Sequence, residues 1–159
     1  MNIQIICVGK LKEQYFRDAC LEYSKRLSRY CKFSIVEIEE YKTPDNPSDA
    51  QIDATLINEG KRILEKIPKG SEIYAMCIEG KQLDSVQLSE QLKNSMIEGC
   101  SDISFIIGGS FGLSKEVKDK AKVKLSMSKM TFPHQLARVI LCEQIYRCFN
   151  IQNGGKYHK

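Results

Sequence analysis

The run Ile103-Ser104-Phe105-Ile106-Ile107 puts apolar side chains on both faces of an extended segment, and Gly108-Gly109 follows it without a break. A strand of that kind must be covered on both faces, as the inner strands of parallel sheets are. The chain therefore has to supply helices to two sides of one sheet, and the rest of the sequence does so. Asn2 to Val8, Phe33 to Ile38, Ile73 to Ile78 and Val123 to Met127 also read as strands. Between them lie helical patterns: Glu13 to Tyr30, with Phe16, Cys20, Tyr23, Leu27 and Tyr30 in one stripe; Ser48 to Ile67, opened by a Ser48/Gln51 capping box and ended by Pro68; Ser85 to Ile97; a short helix from Ser114; and His134 to Phe149. Thr43-Pro44-Asp45-Asn46-Pro47 reads as a loop and Glu79-Gly80-Lys81 as a turn. The expected architecture is α/β, a mainly parallel sheet with helices on both faces, in one domain spanning residues 1–159.

No apolar stretch approaches the roughly 20 residues of a membrane helix, and the N-terminus lacks a signal-peptide layout. A cytoplasmic protein with no membrane association is expected. The seven cysteines contain no C-x-x-C pair and sit mostly in apolar runs, so they read as reduced core thiols, with no metal site. The net charge of +4 is mild for a dedicated nucleic-acid domain. Its distribution is not uniform. Lys25, Arg26, Arg29 and Lys32 form one cluster, Lys115, Lys118, Lys120, Lys122 and Lys124 a second, and Lys156-Tyr157-His158-Lys159 a third. Each alone reads as a solvated face or a helix-dipole partner; together they point toward a polyanion.

In the last helix, Leu136, Val139, Ile140, Leu141, Cys142, Ile145, Tyr146, Cys148 and Phe149 surround nearly the whole barrel at about 100° per residue. One face can lie on the sheet, and the remainder argues for a second copy of the chain. Arg138 falls beside Ile145 and Phe149 on the wheel, so its guanidinium should be covered and should have an anionic partner. Glu143 and Arg147, four apart, read as an ion pair.

The loops Gly108-Gly109-Ser110-Phe111-Gly112 and Ser126 to His134 each follow a strand, an arrangement that makes a ligand pocket. GGSFGLSKE matches neither the P-loop nor the dinucleotide pattern. The string Ser128-Lys129-Met130-Thr131-Phe132-Pro133-His134, with Arg138-Val139, Glu143-Gln144-Ile145-Tyr146-Arg147 and the closing Tyr157-His158-Lys159, resembles the ribosomal large-subunit pseudouridine methyltransferase H family of the SPOUT superfamily. Val8-Gly9-Lys10-Leu11-Lys12, Glu79-Gly80-Lys81, Phe105 to Ser110 and Gly112-Leu113 extend the resemblance along the whole chain.

That resemblance implies a homodimer with a C-terminal trefoil knot that holds S-adenosyl-L-methionine. It implies methylation of N3 of a pseudouridine in the inter-subunit stem-loop of 23S rRNA, on the assembled ribosome. Carried over, the cofactor residues are Met76, Gly108, Met127, Ser128, Lys129, Met130, Thr131 and Phe132, Met76 standing where the family commonly has leucine. The imide N3 is protonated at neutral pH and needs a base or a charge-stabilising group. Of the two histidines, His134 reads as loop-ordering, its pKa lowered by the helix N-terminus. His158, with Tyr157, follows the Gly154-Gly155 hinge and suits closure over a stacked base. His158 and Tyr157 are thus expected at the substrate, with Arg138 holding an anion or the base carbonyls. Two alternatives remain: a SPOUT enzyme acting on tRNA, and a non-catalytic ribosome- or RNA-binding module, which would usually have lost the glycine loop or Ser128 to Phe132.

Overall fold

Five parallel strands lie in the order β2-β1-β4-β3-β5 in the computed structural model, which describes residues 1–159. They are β1 (Asn2–Val8), β2 (Lys32–Ile38), β3 (Glu72–Gln82), β4 (Asp102–Ile107) and β5 (Val123–Ser126). The helices are α1 (Gln14–Leu27), α2 (Asp49–Lys66), α3 (Ser85–Ile97), α4 (Lys115–Lys120) and α5 (His134–Gln152). The inner strands β1 and β4 are apolar on both faces for the reason their sequence suggests. Ile3, Ile5, Cys7, Phe105 and Ile107 join a core with α1, α3 and α5, while Ile6, Val8 and Ile106 join a second core with α2 and α4. Each fully buried side chain of this size contributes about 1.5–3 kcal/mol of transfer free energy, so the sheet is held from two sides.

The Ser48/Gln51 capping box is formed, and a second one, Asp84/Gln87, starts α3. All seven cysteines are free. No helix is long and apolar enough to cross a membrane.

Two expectations are corrected. Glu79-Gly80-Lys81 is not a turn, because β3 continues through it, and its register slips so that both Met76 and Lys81 pair with Leu125 of β5. Gly80 permits this: a Cβ there would stand 2.7 Å from the Leu125 backbone. The apolar circumference of α5 is also covered largely within the chain, by the sheet on one side and by α1 and α3 on its flanks. Leu136, Val139 and Ile140 are left only half-buried.

Topology decides where ligands fit. The neighbouring strands β1, β4 and β3 lead into α1, α4 and α3, which lie on alternate faces of the sheet. Where adjacent strands send their chains to opposite faces, a crevice opens at their carboxyl ends. This sheet has three such junctions, β2/β1, β1/β4 and β4/β3, because β2 leads into α2 on the face of α4.

Candidate functional site

Over the β4/β3 junction and the neighbouring β5 end lies a cleft of about 770 Å³, inside the range of small-molecule sites. Met76 and Ile107 reach it from strands, Gly108 to Leu113 form one wall, and Ser126 to Pro133 form the other. Gly112 sits at φ +84 and its N–H donates to the Gly109 carbonyl at 3.1 Å, folding the first wall back on itself. Gly108 faces that fold so closely that a Cβ would overlap the Gly112 carbonyl. In the second wall Ser126 Oγ donates to the Ser128 carbonyl at 2.9 Å, and Ser128 Oγ accepts the Met130 N–H at 3.0 Å. Residues 127–132 take part in no helix or strand and in no backbone–backbone turn bond. Apart from the Ser128 carbonyl and the Met130 N–H, which the two serine hydroxyls engage, the backbone donors and acceptors of residues 127–132 are therefore open to a ligand. Met76, Met127 and Phe132 supply flat apolar contact beside them.

Of the residues expected at the cofactor, Met76, Gly108, Met127, Ser128, Met130, Thr131 and Phe132 line this cleft. Lys129 does not: its side chain is exposed and turned away from the lining. His134, the first residue of α5, does line it, and burial lowers its pKa, with Glu40 opposing and Arg138 and Lys12 adding to the effect.

Arg138 is a correction. It has no exposed surface; Nη1 donates to Glu37 Oε1 at 2.7 Å and Nη2 to the Gly9 carbonyl at 2.9 Å. The predicted anionic partner is Glu37, so the guanidinium clamps α5 to the ends of β1 and β2 and does not line the cleft.

Tyr157 and His158 also lie away from the cleft of their own chain. The Tyr157 ring meets Tyr146 edge-on at 5.1 Å, the Arg147 guanidinium sits 4.6 Å from its centroid, and its hydroxyl donates to Glu143 Oε1 at 3.1 Å. Burial, together with Tyr23 and Glu143, pushes the Tyr157 phenol up to about 12. His158 Nδ1 lies 3.5 Å from Arg147 Nη1, and Arg147 Nε donates to Glu143 at 3.0 Å, the expected ion pair. The tail is thus folded onto the outer side of α5, where Arg26 stands 5.6 Å from Tyr23 and 5.7 Å from Tyr146. Arg26 of the first basic cluster and Tyr157 and His158 of the third thus gather around Tyr146 and Arg147, with Arg26 paired to Glu22 and Arg147 to Glu143. The second does not act as a cation patch, since Lys115, Lys118, Lys120 and Lys122 pair with Asp119, Glu79, Glu116 and Glu72. Of that cluster only Lys124 makes no ion pair.

Sequence reasoning missed Glu59. Thr55, Glu59 and Ile63 of α2 are all buried at four-residue spacing, so a carboxylate stands on the core-facing stripe. That misplaced charge was the available signal.

A family model described as "Predicted SPOUT methyltransferase" matches residues 1–158. A Leuconostoc mesenteroides protein named ribosomal RNA large subunit methyltransferase H is 50% identical over 159 residues, all of both chains. A Streptococcus thermophilus protein of the same name is 51% identical, again over 100% of each. Among solved structures, the tRNA (m1G37) methyltransferase from Aquifex aeolicus superposes with a TM-score of 0.53 over 92% of this chain and 70% of that one, at 13% identity, a likeness of fold alone.

Proposed function

Because the chain belongs to the SPOUT methyltransferase family, with the knotted α/β fold of that family and full-length kinship to its ribosomal RNA large subunit methyltransferase H members, we propose that it methylates N3 of a pseudouridine in the inter-subunit stem-loop of 23S rRNA on the assembled ribosome, with S-adenosyl-L-methionine as donor. The observation that carries this reading is the cleft between the glycine loop and residues 126–133, whose size, apolar side chains and free backbone groups fit an adenosyl compound. When bound, that cofactor supplies a methyl group on a positively charged sulfur.

The residues of this chain do the positioning. Met76, Met127 and Phe132 enclose a flat ring and exclude water, while the backbone between Ser128 and Phe132 reads its polar edge. The Ser126 and Ser128 hydroxyls hold that backbone in shape before any ligand arrives, which lowers the ordering cost of binding. Little covalent chemistry is asked of the protein beyond alignment and removal of the N3 proton.

Tyr157 and His158 serve the substrate in this reading, and their place on the outer side of α5 has a consequence. They can reach a cleft only in a partner copy, so the functional unit is a homodimer in which each tail completes the other's site. The exposed apolar residues at the cleft mouth, Met130, Ile78 and Phe111, support such a partner. Mass spectrometry of ribosomal RNA from cells with and without the protein tests the assignment. Loss of one N3-methylpseudouridine from 23S rRNA is expected, whereas an unchanged 23S pattern with a change in tRNA would move the substrate.

A further inference from the structure

A second cleft, of about 520 Å³, opens over the carboxyl end of β1, where Glu40 to Pro44 follow β2 on one side and Ser110 and Phe111 follow β4 on the other. It shares Ser110 and Phe111 with the cofactor cleft, so the glycine loop is a wall between the two. Its floor is built from α2. Thr55 is 2% exposed and Glu59 6% exposed. Thr55 Oγ1 is fully engaged, donating to the Gln51 carbonyl at 2.9 Å and meeting Thr43 Oγ1 at 2.7 Å. Glu59 is not. Oε1 accepts the Tyr41 N–H at 3.0 Å, but Oε2 has no donor in the protein, and no lysine or arginine pairs with the carboxylate. Nearby Arg62 is turned to the Glu39 carbonyl instead, at 2.8 Å. The carboxylate lies hard against the glycine loop, since a Cβ on Gly109 would stand 3.1 Å from Oε2.

A largely buried carboxylate without a cation is costly unless donors reach it, and Oε2, which is not sealed from solvent, is the atom open to one. Burial raises the Glu59 pKa, with the Tyr41 N–H and the Arg62 charge opposing it and Glu40 adding to it. With Glu40 at the same cleft, the floor repels phosphate and attracts N–H groups. Tyr41 and Phe111 offer aromatic faces for a stacked ring, and the exposed Lys42 offers a cation at the rim for the phosphate behind it.

We propose that this cleft is a nucleobase subsite that takes a guanine of the RNA substrate, its N1–H and N2–H donated to the Glu59 carboxylate. Guanine is the one base with two adjacent donors matching the two oxygens of a carboxylate. Adenine and cytosine set an acceptor beside their amino group, and uracil flanks its single N–H with two carbonyls. Oε1 retains a lone pair after accepting from Tyr41. The inference rests on the reading of the chain as an RNA methyltransferase, and places a second nucleotide of the substrate across the glycine loop from the methyl donor.

The test is amide NMR on the full chain titrated with GMP, IMP, CMP and UMP, with and without S-adenosylmethionine. GMP is expected to shift Thr55, Glu59 and Ser110 and to bind about tenfold or more tighter than UMP, with IMP, which lacks the N2 amino group, between them. Glu59→Gln should remove the preference while calorimetric affinity for S-adenosylmethionine is retained, and should raise KM for ribosomes several-fold with kcat held. Equal response to all four nucleotides, or shifts confined to Gly108 and Met127, overturns the proposal; so does an unchanged ribosome KM, which would leave a site for free nucleotides only. Lys42→Ala, on an exposed loop where folding is not at stake, should weaken GMP binding but keep the base preference, and loss of that preference would also overturn the proposal. Failure to bind S-adenosylmethionine with guanine selectivity intact would instead strike the methyltransferase reading.

Discussion

Arg138 and Glu37 meet at 2.7 Å, the arginine with no exposed surface and the glutamate at the end of β2 partly open to solvent. Glu37 also accepts the Leu11 N–H at 3.2 Å. One pair therefore fixes the last helix, the turn after β1 and the end of β2.

Arg138→Ala should destabilise the protein by about 3 kcal/mol, the low end for removing one partner from a buried pair, because Glu37 keeps contact with solvent. In a chain of this size that lowers the melting temperature by roughly 6–12 °C. Thermal melts followed by circular dichroism check it. A variant that melts like the wild type but loses turnover would return Arg138 to the substrate.

Gly108→Val should fail for a reason the sequence did not reveal. As a cofactor residue carried over from the family resemblance, Gly108 would be expected to fail by putting a side chain into ligand space, but its Cβ points into the Gly112 carbonyl, so the loop itself must open. Both cofactor affinity by calorimetry and the melting temperature should fall, and Gly108→Ala should already show both. Loss of affinity with unchanged melting would support the simpler account.

How much was legible follows from what each residue depends on. The strands β1 and β4 and the layering of helices were readable because apolar alternation and its absence are local signals. The burial of Arg138 was readable from the helical wheel. The continuation of β3 was not, because Gly80 is there for the approach of the Leu125 backbone, and nothing near Glu79-Gly80-Lys81 encodes a partner more than forty residues away. The knot was equally hidden from local reasoning, since connection rules exclude threaded chains by default; it came from the family resemblance. The packing of the tail was not legible either, because Tyr157 reads as polar terminus until Tyr146 and Arg147 are beside it.

His134 gives a pH signature. Burial lowers its folded pKa below that of the unfolded chain, so between the two values the unfolded state binds more protons and stability rises with pH. The contribution is fully present above the ordinary histidine value of about 6.5 and is lost as pH falls below it. Urea melts between pH 5 and 8 should show wild-type stability dropping on the acid side more than that of His134→Gln. An imidazole titration by NMR at or above the ordinary value would contradict the burial argument.

The oligomeric state is the next check. Sedimentation at micromolar concentration should give about twice the 18.2 kDa chain mass. A stable, folded monomer at that concentration would leave Tyr157 and His158 with no cleft to serve.

Deleting Tyr157 to Lys159 tests the tail most directly. The segment is terminal but not loose: Tyr157 packs on Tyr146 and bonds to Glu143, so removal should cost about 1 kcal/mol and leave the fold and the dimer in place. Turnover on ribosomes should collapse. Calorimetric affinity for S-adenosylmethionine should fall less, because the glycine loop and residues 126–133 are untouched, although a tail that crosses to the partner could weaken it somewhat. His158→Gln then separates two roles, since glutamine keeps a hydrogen bond but does not titrate near neutral pH. If His158 moves the N3 proton, this variant should lose kcat, and its rate should lose any pH dependence due to the imidazole. If it only positions the base, KM should rise and the pH profile should persist. Methylation of ribosomes by the truncated enzyme at the full-length rate would show that the contacts of Tyr157 and His158 along α5 are their whole role.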